Sequence, residues 1–200
     1  MPLAKFPVDA LQILDTGFGG RLVYNPHADL APVVWHGFTL DIDVELDVDW
    51  PEPLRSRTSM DLGALLLPKR WSKFEGSYGP VEDQGDSSVY LLNQHVPIDI
   101  QRVTLEAIGG TEFAVVADIT IAFDGLVYEN AETTLRFQAD YSGIGFSPIQ
   151  WGSRAPRILE EWGIPKRFDV DSVTALLSRF ADLDEYRLRS GEHGYRLRPV

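Results

Sequence analysis

Five carboxylates and six apolar residues alternate in TLDIDVELDVDW, residues 39–50. Leu40, Ile42, Val44, Leu46, Val48 and Trp50 take one side of a period-two pattern. Asp41, Asp43, Glu45, Asp47 and Asp49 take the other. On a strand, residues i and i+2 share a face about 6.8 Å apart, twice the rise per residue. Calcium needs several oxygens at about 2.3–2.6 Å from one point. Two neighbours of this row reach one ion and five in line do not. No EF-hand spacing is present either, so no metal site is expected. Acids on an exposed strand also discourage edge-to-edge association. Five of them still repel one another within a Debye length of about 10 Å. The chemistry this row suits is recognition of a cationic surface: fixed carboxylates pair with Lys and Arg of a basic partner and speed its docking. Asp41, Asp43, Glu45, Asp47 and Asp49 are therefore the expected binding residues. The arginines near the C-terminus, Arg187, Arg189, Arg196 and Arg198, offer an alternative answer to the same charges, from this chain or from a second copy in a homo-oligomer.

Two short motifs bear on catalysis. Ile13–Leu14–Asp15–Thr16–Gly17 resembles the catalytic signature of aspartic proteases, with Ala107–Ile108–Gly109 as a loose second element. That resemblance implies a homodimer in which two copies of Asp15 share a proton and activate water. Phe18 stands where that family has a small residue. The plain reading is a turn after a strand, with Asp15 accepting backbone hydrogen bonds. Gly85–Asp86–Ser87 resembles the nucleophile block of GDS-type esterases, whose base lies in an Asp-x-x-His element that this chain lacks. The serine is left without its base, and Asp15 remains the single catalytic candidate.

Histidines at 27, 36, 95 and 193 form no H-x-H or H-x-x-x-H pair, so each reads as structural. His36 precedes the acidic row and is placed to meet a carboxylate. Lys69–Arg70–Trp71, with Lys73 and Phe74, is a basic-aromatic stretch of the kind that stacks on bases. In an acidic chain it reads first as an internal counter-patch or a partner contact. The five tryptophans read as core.

The chain has 200 residues, no cysteine and a net charge of −12. It has neither a disulfide framework nor a thiolate for metal or nucleophilic chemistry. Residues 1–150 carry 9 Lys+Arg against 22 Asp+Glu, and residues 151–200 carry 9 against 8. An acidic body argues against anionic membranes and against a nucleic-acid backbone. The N-terminal MPLAKFPVDA has no apolar core after a basic segment, and no apolar run is long enough to span a bilayer. A soluble, cytoplasmic protein with no cofactor is expected.

Strands must position these groups. Glu112–Asp124 and Ala131–Tyr141 alternate at period two, and Val96–Ile108 does so with one slip near Gln101–Arg102 that marks a bulge. Gly109–Gly110 predicts a hairpin, and Asp124–Gly125 a second turn. Residues 74–88, rich in Gly and polar residues, predict a long surface loop. Ser153 caps one predicted helix, through Trp162, and Asp171 caps another with Val173, Leu176, Leu177 and Phe180 in one stripe. YRLR–SGEHG–YRLR, residues 186–198, predicts a small hairpin. The expected fold is α+β: a twisted antiparallel sheet over 1–150, as a curved half-barrel or a sandwich, with a helical and hairpin segment over 151–200 packed on it. The residue set favours a binding module of the inhibitor or immunity type over an enzyme. A carboxylate hydrolase using Asp15, or a small-ligand-binding β protein, is the alternative.

Overall fold

Period-two alternation forms strands here because each strand buries one face and wets the other. The computed structural model describes residues 3–23, 32–46, 54–79, 87–124, 128–147, 169–191 and 194–200. Its strands are β1 (Gln12–Val23), β2 (Val33–Leu46), β3 (Leu54–Leu65), β4 (Gly76–Tyr78), β5 (Ser88–Leu91), β6 (Gln94–Gly109), β7 (Glu112–Ile121), β8 (Ala131–Phe146), β9 (Tyr186–Gly191) and β10 (Gly194–Pro199). Among the described residues one α-helix, α1 (Val170–Leu177), joins them. The described protein is mostly antiparallel β-sheet. It divides into two compact units: Met1–Phe18, Gly37–Leu66 and Glu75–Tyr141 form the first, and Gly19–His36, Leu67–Phe74 and Ser142–Val200 the second. Among the described residues, no helix is long and apolar enough to cross a membrane.

In the first unit the strands follow the order β1-β2-β3-β5-β6-β7-β8, and β1 also pairs with β8. The hydrogen-bonded path therefore closes on itself. At the closure the Thr16 hydroxyl donates to the Gln138 carbonyl at 2.6 Å. Closure leaves no free edge along this path, which removes the need for charge as edge protection. The interior is filled by rings. Phe18 stacks on Phe38 at 4.5 Å and meets Tyr141 at 4.9 Å and the edge of Phe113 at 5.8 Å. A closed sheet of this size has an interior just wide enough for side chains. Phe18 is fully buried at the centre of this cluster. Phe18→Ala should lower unfolding stability by about 3–5 kcal/mol, through lost transfer energy and the cavity left behind. Urea denaturation measures it, and a loss under about 1 kcal/mol would mean the rings are not the core.

The β6–β7 hairpin turns at Gly110, whose φ of +55° suits glycine, and its register shifts between Ile100 and Arg102, as the pattern predicts. The predicted loop over 74–88 is partly strand: β4 pairs with Val103–Leu105 of β6. Three residues are too few for alternation to show. The β5–β6 hairpin turns on Leu92 and Asn93, both at positive φ.

In the second unit, Ile144–Phe146 at the end of β8 pairs with β10, and β10 pairs with β9, so the predicted terminal hairpin is present. The cap of α1 is Asp169, not Asp171. Asp169 accepts the Ser172 N–H, and the Ser172 hydroxyl accepts the Asp169 N–H, a reciprocal box that Asp171 cannot make from inside the first turn. Val173, Leu176 and Leu177 are buried as expected, whereas Phe180 falls beyond the helix and is half-buried. The helix predicted from Ser153 to Trp162 lies outside the described residues.

Candidate functional site

The inner side of the acidic row behaves as its alternation predicts: Leu40, Ile42, Val44 and Leu46 are fully buried. The outer side is not uniformly wet. Glu45 is exposed and Asp41 half-buried, but Asp43 is only 8% exposed. Asp47 and Asp49 lie outside the described residues. Asp43, Val44 and Glu45 line a pocket of about 200 Å³ with Ala10 and Gln12. Ala10 ends a 3₁₀ turn (Val8–Ala10) that leads into β1, which brings the N-terminal segment to the carboxylates. Partners some thirty residues away in sequence carry no local signal. Among the described residues, no group of three or more His, Asp or Glu side chains is placed to hold a metal ion.

The catalytic candidates are not assembled into one site. Asp15 is exposed in the middle of β1, not at a turn, and its carboxylate accepts the N–H of its own neighbour Thr16 at 2.9 Å. Ser87 is buried, where its Oγ accepts the Gly63 N–H at 3.0 Å and its carbonyl the Ile98 N–H. It ties β3 to β6. One Ser–His contact escaped sequence reading: Ser88 Oγ lies 3.2 Å from His95 Nδ1 across the β5–β6 hairpin. The edge of Tyr90 packs on that ring, and among the described residues no carboxylate bonds to it. Finding this pair required placing a turn at Leu92–Asn93, and leucine is not a turn signal. His36 is buried, in an edge-on ring contact with Phe74 at 5.2 Å. His27 and His193 are outside the described residues.

The basic-aromatic stretch is answered inside the chain. Arg70 Nε lies 2.6 Å from Asp182 and 3.7 Å from Glu185. Trp71 Nε1–H donates to the Glu185 carbonyl, and the Ser72 hydroxyl and N–H donate to its carboxylate. Trp71 and Trp35 are half-buried, not core as predicted, and Trp50, Trp151 and Trp162 are outside the described residues. The hydrogen bond from Arg70 holds the Asp182 carboxyl below its ordinary value, and Asp182 in turn raises the guanidinium. Asp118 is lowered by the Thr134 hydroxyl and then by Arg102, and Asp169 by the Ser172 N–H. Carboxyls lowered on folding contribute stability above their unfolded pKa of about 3.9, and lose it as pH falls through the lower folded values. The thermal midpoint should therefore hold steady from about pH 7 to about pH 5 and fall from about pH 4 downward. Asp182→Asn should flatten part of that acid limb in a melting series against pH. An unchanged limb would mean the ion pair adds nothing.

A cationic cluster lies in the second unit. In the β9–β10 ladder, Arg189 stands directly opposite Arg196 and Arg187 directly opposite Arg198. Opposed residues share a face with Cβ atoms about 4.5–5.5 Å apart, and like charges so placed repel. Leu188 and Leu197 oppose each other on the other face, with Leu197 buried. The YRLR repeat thus puts leucines on one side and four arginines on the other. Arg189, Arg196 and Arg198 line a concavity of about 490 Å³, whose other lining residues include Arg21, Ser147, Gly145 and Gly194. All four of these arginines are exposed, and among the described residues none lies within ion-pair distance of a carboxylate. Arg21 was not anticipated, because a lone arginine after Gly19–Gly20 gives no local signal.

No protein-family model, curated protein or solved structure matches this chain.

Proposed function

We propose that the chain is a binding module whose contact surface is the arginine face of the β9–β10 hairpin, and that it captures an anionic ligand there. One observation carries the reading: two arginine pairs stand directly opposed on one face, bordering a concavity to which Arg21 adds a further guanidinium. Repulsion of this kind costs stability unless an anion relieves it. Arginine also presents a planar fork that holds carboxylate or phosphate by two hydrogen bonds. A protein of net charge −12 should pass through a phosphate-bearing resin. Retention of wild type at low salt, lost in an Arg189→Gln/Arg196→Gln variant, supports the reading. Passage of both at low salt sinks it.

A second reading, docking of a basic partner on β2, is favoured by the pocket that Asp43 and Glu45 line with Gln12. A lysine or arginine side chain of an inhibited partner is the occupant it suits. Its test is capture of a basic protein by wild type at low salt against a variant with Asp41, Asp43, Glu45, Asp47 and Asp49 changed to Asn or Gln. Equal capture by both removes it.

A further inference from the structure

Resting on the anion-binding reading, we infer that the arginine concavity takes a small oligophosphate, a ligand carrying two or more phosphate groups close together. Three features favour this over a single anion or a long polyanion. The cationic positions come as a two-by-two array on one face, Arg189 opposite Arg196 and then Arg187 opposite Arg198, of which all but Arg187 line the concavity. Opposed Cβ atoms are about 4.5–5.5 Å apart and successive positions about 6.8 Å apart, so each opposed pair can close on one phosphate and the pairs address neighbouring ones. A single phosphate satisfies one pair and leaves the other repelling.

The second feature is shape. The concavity of about 490 Å³ falls in the range of small-molecule sites. The third is charge elsewhere. A nucleic-acid backbone or an anionic membrane extends beyond the concavity and meets a chain of net charge −12. A ligand held within the concavity is dominated by charges within a Debye length, about 10 Å at 0.1 M salt. The hairpin's cations are all arginine, with no lysine. This suits bidentate contacts to a fixed oxygen geometry.

Isothermal titration of the full chain with inorganic tripolyphosphate tests the inference, beside orthophosphate, polyglutamate and a short DNA duplex. The expected result is tripolyphosphate bound at least tenfold tighter than any of the other three. Affinity should fall about 100-fold in Arg189→Gln/Arg196→Gln, and about tenfold in Arg196→Lys, which keeps the charge and loses the fork. A nucleoside triphosphate and a ring polyol bearing several phosphates, run as further arms, distinguish a linear from a cyclic source. Tripolyphosphate bound no tighter than orthophosphate, or equally by wild type and the double variant, overturns the inference. Polyglutamate or duplex bound more tightly through the same arginines overturns it while leaving the anion-binding reading standing. No binding of any anion by wild type removes both. Melting curves of each variant confirm that the fold is kept.

Discussion

Gly143→Ala should unseat the β9–β10 hairpin and abolish anion binding without touching an arginine. Gly143 sits in β8 at φ +96°, a conformation that side chains other than glycine rarely adopt. A Cβ there would overlap the Leu197 carbonyl oxygen, and would stand 2.8 Å from the Leu197 carbonyl carbon and 3.1 Å from Arg198 Cα. Both of those neighbours are backbone, so no side chain can rotate away. The strained φ alone costs about 1–3 kcal/mol. Relieving the overlap requires β8 and β10 to part, which loosens the pairings Ile144↔Leu197, Gly145↔Arg196 and Phe146↔Tyr195. The expected loss is more than about 3 kcal/mol, because strain and lost packing add. The control is Gly109→Ala, where nothing lies within 4 Å of the new Cβ and φ is not positive. That variant should stay within about 0.5 kcal/mol of wild type, as surface substitutions usually do. Urea midpoints and tripolyphosphate titration of the two variants measure the difference. If Gly143→Ala matches Gly109→Ala in both, the β8–β10 seat does not position the site.

How much of this was legible in the sequence depends on how local each signal is. The strands around Glu112 and Ala131, the bulge near Gln101 and the Gly109–Gly110 turn are written in alternation and glycine, both read within a few residues. The hairpin at 186–198 was legible as a repeat. Its register, which opposes arginine to arginine, follows once the turn is placed between Gly191 and Gly194. Closure of the sheet was not legible, because β1 and β8 are more than a hundred residues apart and their pairing is a tertiary event. The same limit hid Arg21 from the arginine face, and Ala10 and Gln12 from Asp43. The acidic row shows the converse error. Alternation says which side chains point away from the core, and it does not say whether another segment approaches from outside. Asp43, expected in water, is only 8% exposed beside the N-terminal segment.

The arginine face makes a prediction of opposite sign for stability and for binding. Without ligand, Arg189→Gln/Arg196→Gln should melt above wild type by about 1–4 °C. One directly opposed like-charge pair is removed, and its relief is spread over a chain of this length. The same variant should bind tripolyphosphate about 100-fold more weakly, equivalent to about 2.7 kcal/mol. Ligand at 100 times its dissociation constant stabilises the native state by about 2.7 kcal/mol. Adding tripolyphosphate should therefore reverse the order, leaving wild type the more stable protein. Salt gives an independent check. Screening weakens repulsion between exposed charges, so moderate NaCl should raise the wild-type midpoint more than the variant's. An arginine kept only to hold the fold predicts the reverse at the first step, a lower midpoint in the variant at every ligand concentration. Residues that oppose folding on their own and favour it with an anion in place are built for the anion, and the crossing of the two melting curves separates these cases in a single titration.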